Sequence, residues 1–224
     1  AVQAWWIWPY TRLHRTEVPS TKAGSANRQT VSIITANVLM TNRNAPALLE
    51  LVHQHKPDVL VTLESDLWWQ QQLDVLSTDY PHSIKCPLDN LYGMHVYSRL
   101  PLHNGAVQFL VEPDVPSIHA EVELSSGLRV VMHFVHPAPP SPTENESSSE
   151  RDAELLVLAV SVAQCKQPLI VTGDLNDVAW SETTRLFRKV SGLLDPRIGR
   201  GMFNSFHAAY PFVRWPLDHL FHSR

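Results

Sequence analysis

The sequence predicts one mixed α/β domain, spanning residues 31–224, behind an N-terminal arm of residues 1–30. Three observations lead there. "VSIITANV" and "VLVTLE" are β-branched, apolar runs with the length of buried strands, and each is followed by a segment with helical apolar spacing. Residues 82–136 then break into short strand-like runs separated by Pro, Gly and Asn turns. Finally, no internal repeat and no second composition regime divides the 224 residues. Alternation of strands and helices at the start means helices packed on a sheet.

The arm comes first. "AVQAWWIWPYTRLHR" sets Trp5, Trp6, Trp8 and Tyr10 just ahead of Arg12 and Arg15. It is too short and too aromatic to span a bilayer. Two readings stand: the interfacial end of a membrane span, with its aromatic belt and basic flank, or an arm packing its rings on the domain. The missing initiator Met fits processing or a cut from a longer protein. "EVPSTKAGSANRQT", from Glu17 to Thr30, is polar linker material.

Within the domain, "NAPALLELVHQHKPD" carries Leu48, Leu51 and Val52 at helical spacing and stops at Lys56-Pro57. "DLWWQQQLDVLSTDYP" reads as a second helix. Its Trp68 and Trp69 suit helix packing more readily than substrate contact. "HSIKC", "GMHVYSRLPL", "GAVQFLV", "SIHAEVEL" and "LRVVMHFVH" read as an antiparallel meander. "PAPPSPTENESSSE", Pro137 to Glu150, is a long surface loop. A helix ("ERDAELLVLAVSVAQ"), the strand "PLIVTGD" and a helix opening near "WSETTRLFRKV" complete the pattern.

Totals exclude some functions. Net charge is −4, so no broad basic surface coats nucleic acid, although a phosphate met through a metal ion remains open. Cys86 and Cys165 stand alone, which argues against a disulfide framework or a structural zinc site. No Gly-x-Ser-x-Gly elbow or Cys-His context suggests a metal-free hydrolase.

Candidate chemistry gathers at strand ends. "PLIVTGDLND" delivers Asp174, Asn176 and Asp177 into the turn after a buried strand. A carboxylate beside a carboxamide suits phosphoryl chemistry, the acid orienting or deprotonating a water and the amide donating to a phosphate oxygen. An ordinary Asx-rich turn explains the same residues. Asn37 and Glu64 end the first two strands, and a hard cation such as Mg²⁺ needs only one or two carboxylates with water and phosphate. His136 ends another strand. His133, an odd number of positions away, points to the opposite face of an unbroken strand.

Asn37, Glu64, "YGMHVYSRLPL", His136, "GDLND" and "PLDHLF" occur together in an order that resembles the endonuclease/exonuclease/phosphatase superfamily, over residues 31–224. That superfamily includes abasic-site endonucleases, DNase I-like nucleases, sphingomyelinases and inositol polyphosphate 5-phosphatases. The "VHPAPP" loop and "ERDAEL" helix are most similar to a bacterial branch whose domain follows N-terminal membrane spans, which implies a membrane-anchored protein.

The resemblance implies a DNase I-like, four-layer αββα sandwich of two mostly antiparallel sheets. It also implies hydrolysis of phosphate esters (nucleic acid, phospholipid headgroup or small phosphoester) with Mg²⁺ or Mn²⁺ and no obligate protein partner. Glu64 then holds the metal, with Asn37 beside it assisting metal water or phosphate. His136 contacts the scissile phosphate, Asp174 activates the water and Asn176 donates to the phosphate. Asp177 reads as a loop cap and Ser205 as loop support.

Asp218 in "PLDHLF" matches the residue that orients a catalytic His in a later Ser-Asp-His-x-Pro motif. The sequence finishes six residues after Asp218 without that motif, and His219 is not its equivalent. The expectation is therefore that these residues alone turn over weakly, with the last strand and its Asp-His pair missing. A binding module of the same fold is the rival reading.

Overall fold

A computed structural model describes residues 2–20, 29–139, 148–207, 210 and 212–224. The expected linker at Glu17–Thr30 and loop at Pro137–Glu150 therefore lie largely outside the described residues, over 21–28 and 140–147. The chain divides into two compact units, Asn27–His136 and Ala1–Ala26 with Pro137–Arg224.

The unit Asn27–His136 is built on strand β1 (Ile33–Asn37), which runs parallel to β2 (Val59–Leu63). Between them lies helix α2 (Ala45–His55). Leu48 and Val52, one turn apart, are its buried stripe. It ends where Lys56 adopts a left-handed conformation and its N–H returns to the Val52 carbonyl, just before Pro57. All five β2 residues are buried, because β1 and β4 (Met94–Ser98) flank it. Helix α3 (Leu67–Leu73) is capped by Asp66, whose carboxylate accepts from the Trp69 N–H at 2.9 Å. A 3₁₀ turn over Asp74–Thr78 then follows, so the long helix expected here is two shorter pieces.

Trp69 is buried in the core with Leu60, Leu73, Leu76 and Tyr97, so it packs. Trp68, partly buried, takes the Arg43 guanidinium over its face at 4.7 Å.

The expected meander is only partly present. β4 inserts between β2 and β3 (His82–Cys86), giving the order β1-β2-β4-β3. β3 and β4 still pair antiparallel, and β5 (Leu102–Gln108), β6 (Ser117–Glu123) and β7 (Arg129–Val135) form a continuous antiparallel run. The reason lies in Ser98-Arg99-Leu100-Pro101: "GMHVYSRLPL", one strand-like run in the sequence, breaks there into strands of different pairing.

In the other unit, helix α1 (Val2–Ile7) leads into a 3₁₀ turn at Trp8–Tyr10. Helix α4 (Ser149–Ala163) buries Leu155, Leu158, Ala159 and Val162. Strand β8 (Leu169–Asp174) pairs antiparallel with β9 (Asp218–His222), and helix α5 (Glu182–Ser191) lies between them in sequence. The Ser181 hydroxyl caps α5 by accepting from the Thr184 N–H, and Gly192 ends it in the left-handed region.

The expected membrane anchoring is corrected here. Among the described residues no helix is long and apolar enough to cross a membrane. α1 has six residues, about 9 Å of helix against a hydrocarbon core of about 30 Å. Part of the aromatic start, Tyr10 and Trp6, packs on its own unit, while Trp5 and Trp8 are exposed. Tyr10 is buried and its hydroxyl donates to the Ala179 carbonyl at 2.7 Å. Trp6 and Ile7 pack on the cluster of Tyr10, Ala179, Trp180 and Ile198, and the Arg185 guanidinium lies 4.6 Å over the Trp6 ring.

Two buried imidazoles give the fold an acid limit. His95 in β4 is fully buried; desolvation, aided by the Lys85 charge against weaker pulls from Asp74 and Asp66, pushes it down to about 4. His219 in β9 is pushed to about 3 by burial and then by the Arg197 charge, which outweigh its bond to the Asp177 carbonyl and the charge of Asp195. In the unfolded chain both titrate near 6.5. Below that pH the unfolded state takes up protons that the native state refuses. Stability is therefore fully present above pH 6.5 and falls as pH drops toward 4, by up to about 1.4 kcal/mol per pH unit for each ring. Urea unfolding at pH 7 and pH 5 checks this; an unchanged midpoint contradicts it.

Candidate active site

β1 and β2 run parallel with Asn37 opposite Leu63, so their C-terminal ends emerge together. Glu64 is the residue that follows β2, held in the left-handed region at φ 56°. This turn aims its carboxylate at Asn37, whose amide Nδ2 donates to Glu64 Oε1 at 2.6 Å. Asn37 is fixed in turn because its Oδ1 accepts from the Leu39 N–H at 3.1 Å. His136, just past β7, is buried and brings Nε2 to 3.8 Å from Glu64 Oε1, with the Tyr92 ring 5.7 Å from its own. Three strand-end residues singled out in the sequence thus meet: Asn37, Glu64 and His136. Tyr92, which opens the "YGMHVYSRLPL" stretch, joins them.

The backbone beneath Glu64 is tightly held. Ser65 N–H donates to the Gly93 carbonyl at 2.9 Å. A Cβ on Gly93 would lie 2.1 Å from the Ser65 carbonyl oxygen and 2.6 Å from the Leu88 nitrogen. Both are backbone atoms, so the two strands cannot approach this closely around any side chain. Gly93→Ala is expected to cost about 1–3 kcal/mol or more and to displace Glu64. A urea midpoint equal to that of the parent would contradict this.

In the other unit, Asp174 ends β8, is buried and pairs in register with Asp218. Its Oδ1 accepts from the Asn176 N–H at 2.8 Å, an Asx turn. Asn176 sits in the left-handed region at φ 51° and donates one amide N–H to the Pro137 carbonyl at 3.0 Å. Arg151, in the first turn of α4, donates to the Asn176 carbonyl at 2.9 Å.

Asp177 is fully occupied with structure. Its carboxylate accepts from the Ser181 hydroxyl, from Thr184 Oγ1 at 3.1 Å and from the Val178 N–H at 2.9 Å. It ties the loop to the start of α5. Ser205 Oγ accepts from the Asp218 N–H at 3.2 Å, a supporting contact.

Behind this loop lies a buried ionic network that the sequence did not announce. Arg197 donates to the Asp195 carboxylate at 3.0 and 2.8 Å, to the Asp218 carbonyl at 3.1 Å, and to His219 Nδ1 at 2.7 Å. A guanidinium only donates, so His219 carries its proton on Nε2 and donates it to the Asp177 carbonyl at 2.9 Å. Burial pushes the Asp195 acid up, yet its hydrogen bonds with Arg197 and that residue's charge together leave it below its ordinary value. His219 thus positions the Asp174–Asp177 turn from below.

The donor set suits a hard cation. Glu64 offers carboxylate oxygens, and Asn37 beside it is an amide whose N–H orients that carboxylate while its oxygen accepts from the Leu39 N–H; among the described residues no group of three or more His, Cys, Asp or Glu side chains could enclose a metal. One carboxylate with an amide fits Mg²⁺ or Mn²⁺ that keeps several waters, rather than a closed cage.

The model of the Endonuclease/Exonuclease/phosphatase family matches residues 34–224. A search of curated proteins finds no match. Among solved structures, D. rerio TDP2 complexed with single strand DNA product aligns with a TM-score of 0.70 and 18% identity, over 86% of this chain and 83% of that one. The human Nocturnin catalytic domain with bound sulfate gives 0.65 and 20%, over 88% and 84%. A beta toxin variant from Staphylococcus aureus gives 0.65 and 14%, over 88% of each. At these identities the likeness establishes the fold, a mixed α/β arrangement of sheets flanked by helices of the DNase I type. Matched along all but its first 33 residues, the chain belongs to the endonuclease/exonuclease/phosphatase family, whose members cleave phosphate esters.

Proposed function

We propose that this protein is a divalent-metal-dependent phosphodiesterase. The observation that carries the reading is the meeting of Asn37, Glu64 and His136 at strand ends, in a chain of this family. Glu64, oriented by Asn37, would hold Mg²⁺ or Mn²⁺. When bound, such an ion neutralises charge building on phosphate oxygens. His136 would donate a hydrogen bond to a phosphate oxygen. Asp174 would orient the attacking water and take its proton, and the amide of Asn176 would donate to the phosphate. Asp218 would act through another group by position rather than by contact with substrate.

Nucleic acid is the first substrate to test, because D. rerio TDP2 was solved with a single strand DNA product. Phospholipid headgroups and small phosphoesters share the same diester or monoester chemistry. The experiment is hydrolysis of bis-p-nitrophenyl phosphate and of a single-stranded oligonucleotide, with Mg²⁺ or Mn²⁺ and with EDTA. Release that requires the metal supports the reading. A chain that binds these substrates without ever cleaving them supports a binding module instead.

A further inference from the structure

A pair of histidines faces across β6 and β7. In their antiparallel register His119 stands directly opposite His133. The imidazole centroids are 4.6 Å apart with planes at 53°. His119 Nδ1 is buried and has no hydrogen-bond partner among the described residues. A buried ring nitrogen without a partner forgoes a stabilising bond, and here that ring faces the imidazole of His133. Two positions along from His119 on the same face, Glu121 accepts from Asn104 Nδ2 at 2.9 Å and from Arg129 Nη1 at 3.3 Å.

We infer that His119 and His133 form a two-imidazole site for a borderline transition-metal ion such as Zn²⁺, Ni²⁺ or Cu²⁺. Directly opposed cross-strand residues hold their Cβ atoms about 4.5–5.5 Å apart. That spacing lets two rings bring one nitrogen each to a shared cation at about 2.0–2.1 Å. Imidazole selects these ions over Mg²⁺, which takes oxygen donors, and their affinities rise toward Cu²⁺. Glu121 keeps its bonds to Asn104 and Arg129, so it contributes negative field rather than a ligand, and water completes the coordination. The site goes beyond the proposed hydrolysis, which does not use these residues.

The test is calorimetric titration of the full chain with Zn²⁺ and Cu²⁺ in excess Mg²⁺. One equivalent is expected to bind, with affinity lowered by more than about 10-fold in His119→Phe and in His133→Phe; that is the low end of what loss of a mere outer-shell partner costs. Glu64→Gln is expected to bind as the parent does. Unchanged affinity in both histidine variants, or no binding at all, overturns the site. Should either variant fail to fold by circular dichroism, proton NMR of the parent decides. Cu²⁺ should broaden the His119 and His133 ring signals before those of other histidines, and broadening that spares these two overturns the inference.

Discussion

Asp174→Ala is expected to lower metal-dependent phosphodiester hydrolysis by about 10²–10⁴-fold, the usual worth of a positioned acid or base, and Glu64→Ala to lower it at least as far by removing the proposed metal ligand. The two losses differ in kind. Without the Asp174 carboxylate the Asn176 N–H loses its 2.8 Å acceptor, so the turn loosens as well as losing its base. Asp174→Asn keeps a carbonyl oxygen for that bond but cannot take a proton, and should restore the turn's stability without restoring the rate. Without Glu64, Asn37 loses the acceptor of its 2.6 Å bond, and the oxygen donor best suited to a hard cation is gone. Parental turnover in both alanine variants would remove these residues from the reaction.

Arg197→Leu is expected to give the largest loss of stability, about 3–5 kcal/mol, because it leaves a carboxylate buried without its counter-charge. Asp195 is fully buried and Arg197 nearly so. The substitution also removes the donors to His219 Nδ1 and to the Asp218 carbonyl. Replacing both partners, Asp195→Leu with Arg197→Leu, should recover part of the loss, since no uncompensated charge remains. Chemical denaturation of the single and double variants measures both effects. A single variant within about 1 kcal/mol of the parent would mean that the network carries little.

His219 shows why the Asp218-His219 pair misleads when read as a pair. Adjacent in the strand, the two point to opposite faces, and His219 is spent on Arg197 and the Asp177 carbonyl. The family resemblance implied that His219 is not the catalytic histidine. It did not imply what His219 does, because the answer needs Asp195 and Arg197, more than twenty residues upstream. Gly93 was hidden for a similar reason. Nothing local in "LYGMHV" says that the Ser65 carbonyl will lie against it.

What the sequence does disclose is local. An apolar strand that ends in Asn37 or Glu64 declares its polar terminus, and parallel pairing of β1 with β2 then brings the two together. Helix α2 is marked by its apolar spacing and by Lys56-Pro57. Strand order is different. The insertion of β4 between β2 and β3 depends on which distant edges pair, and a run such as "GMHVYSRLPL" carries no record of its partner. The aromatic start was balanced between two readings for the same reason: Trp and Tyr suit a lipid interface and a protein groove alike. The Ala179 carbonyl that accepts from Tyr10 supplies what the composition could not.

The proposed role of Glu64 is to hold the ion that supports hydrolysis. Its most direct test is the rate of bis-p-nitrophenyl phosphate hydrolysis against Mn²⁺ concentration, for the parent and for Glu64→Gln. A saturable Mn²⁺ dependence is expected in the parent, displaced to much higher Mn²⁺ or abolished in the variant, with both proteins unfolding at the same urea concentration. An identical Mn²⁺ dependence in the two proteins would contradict it.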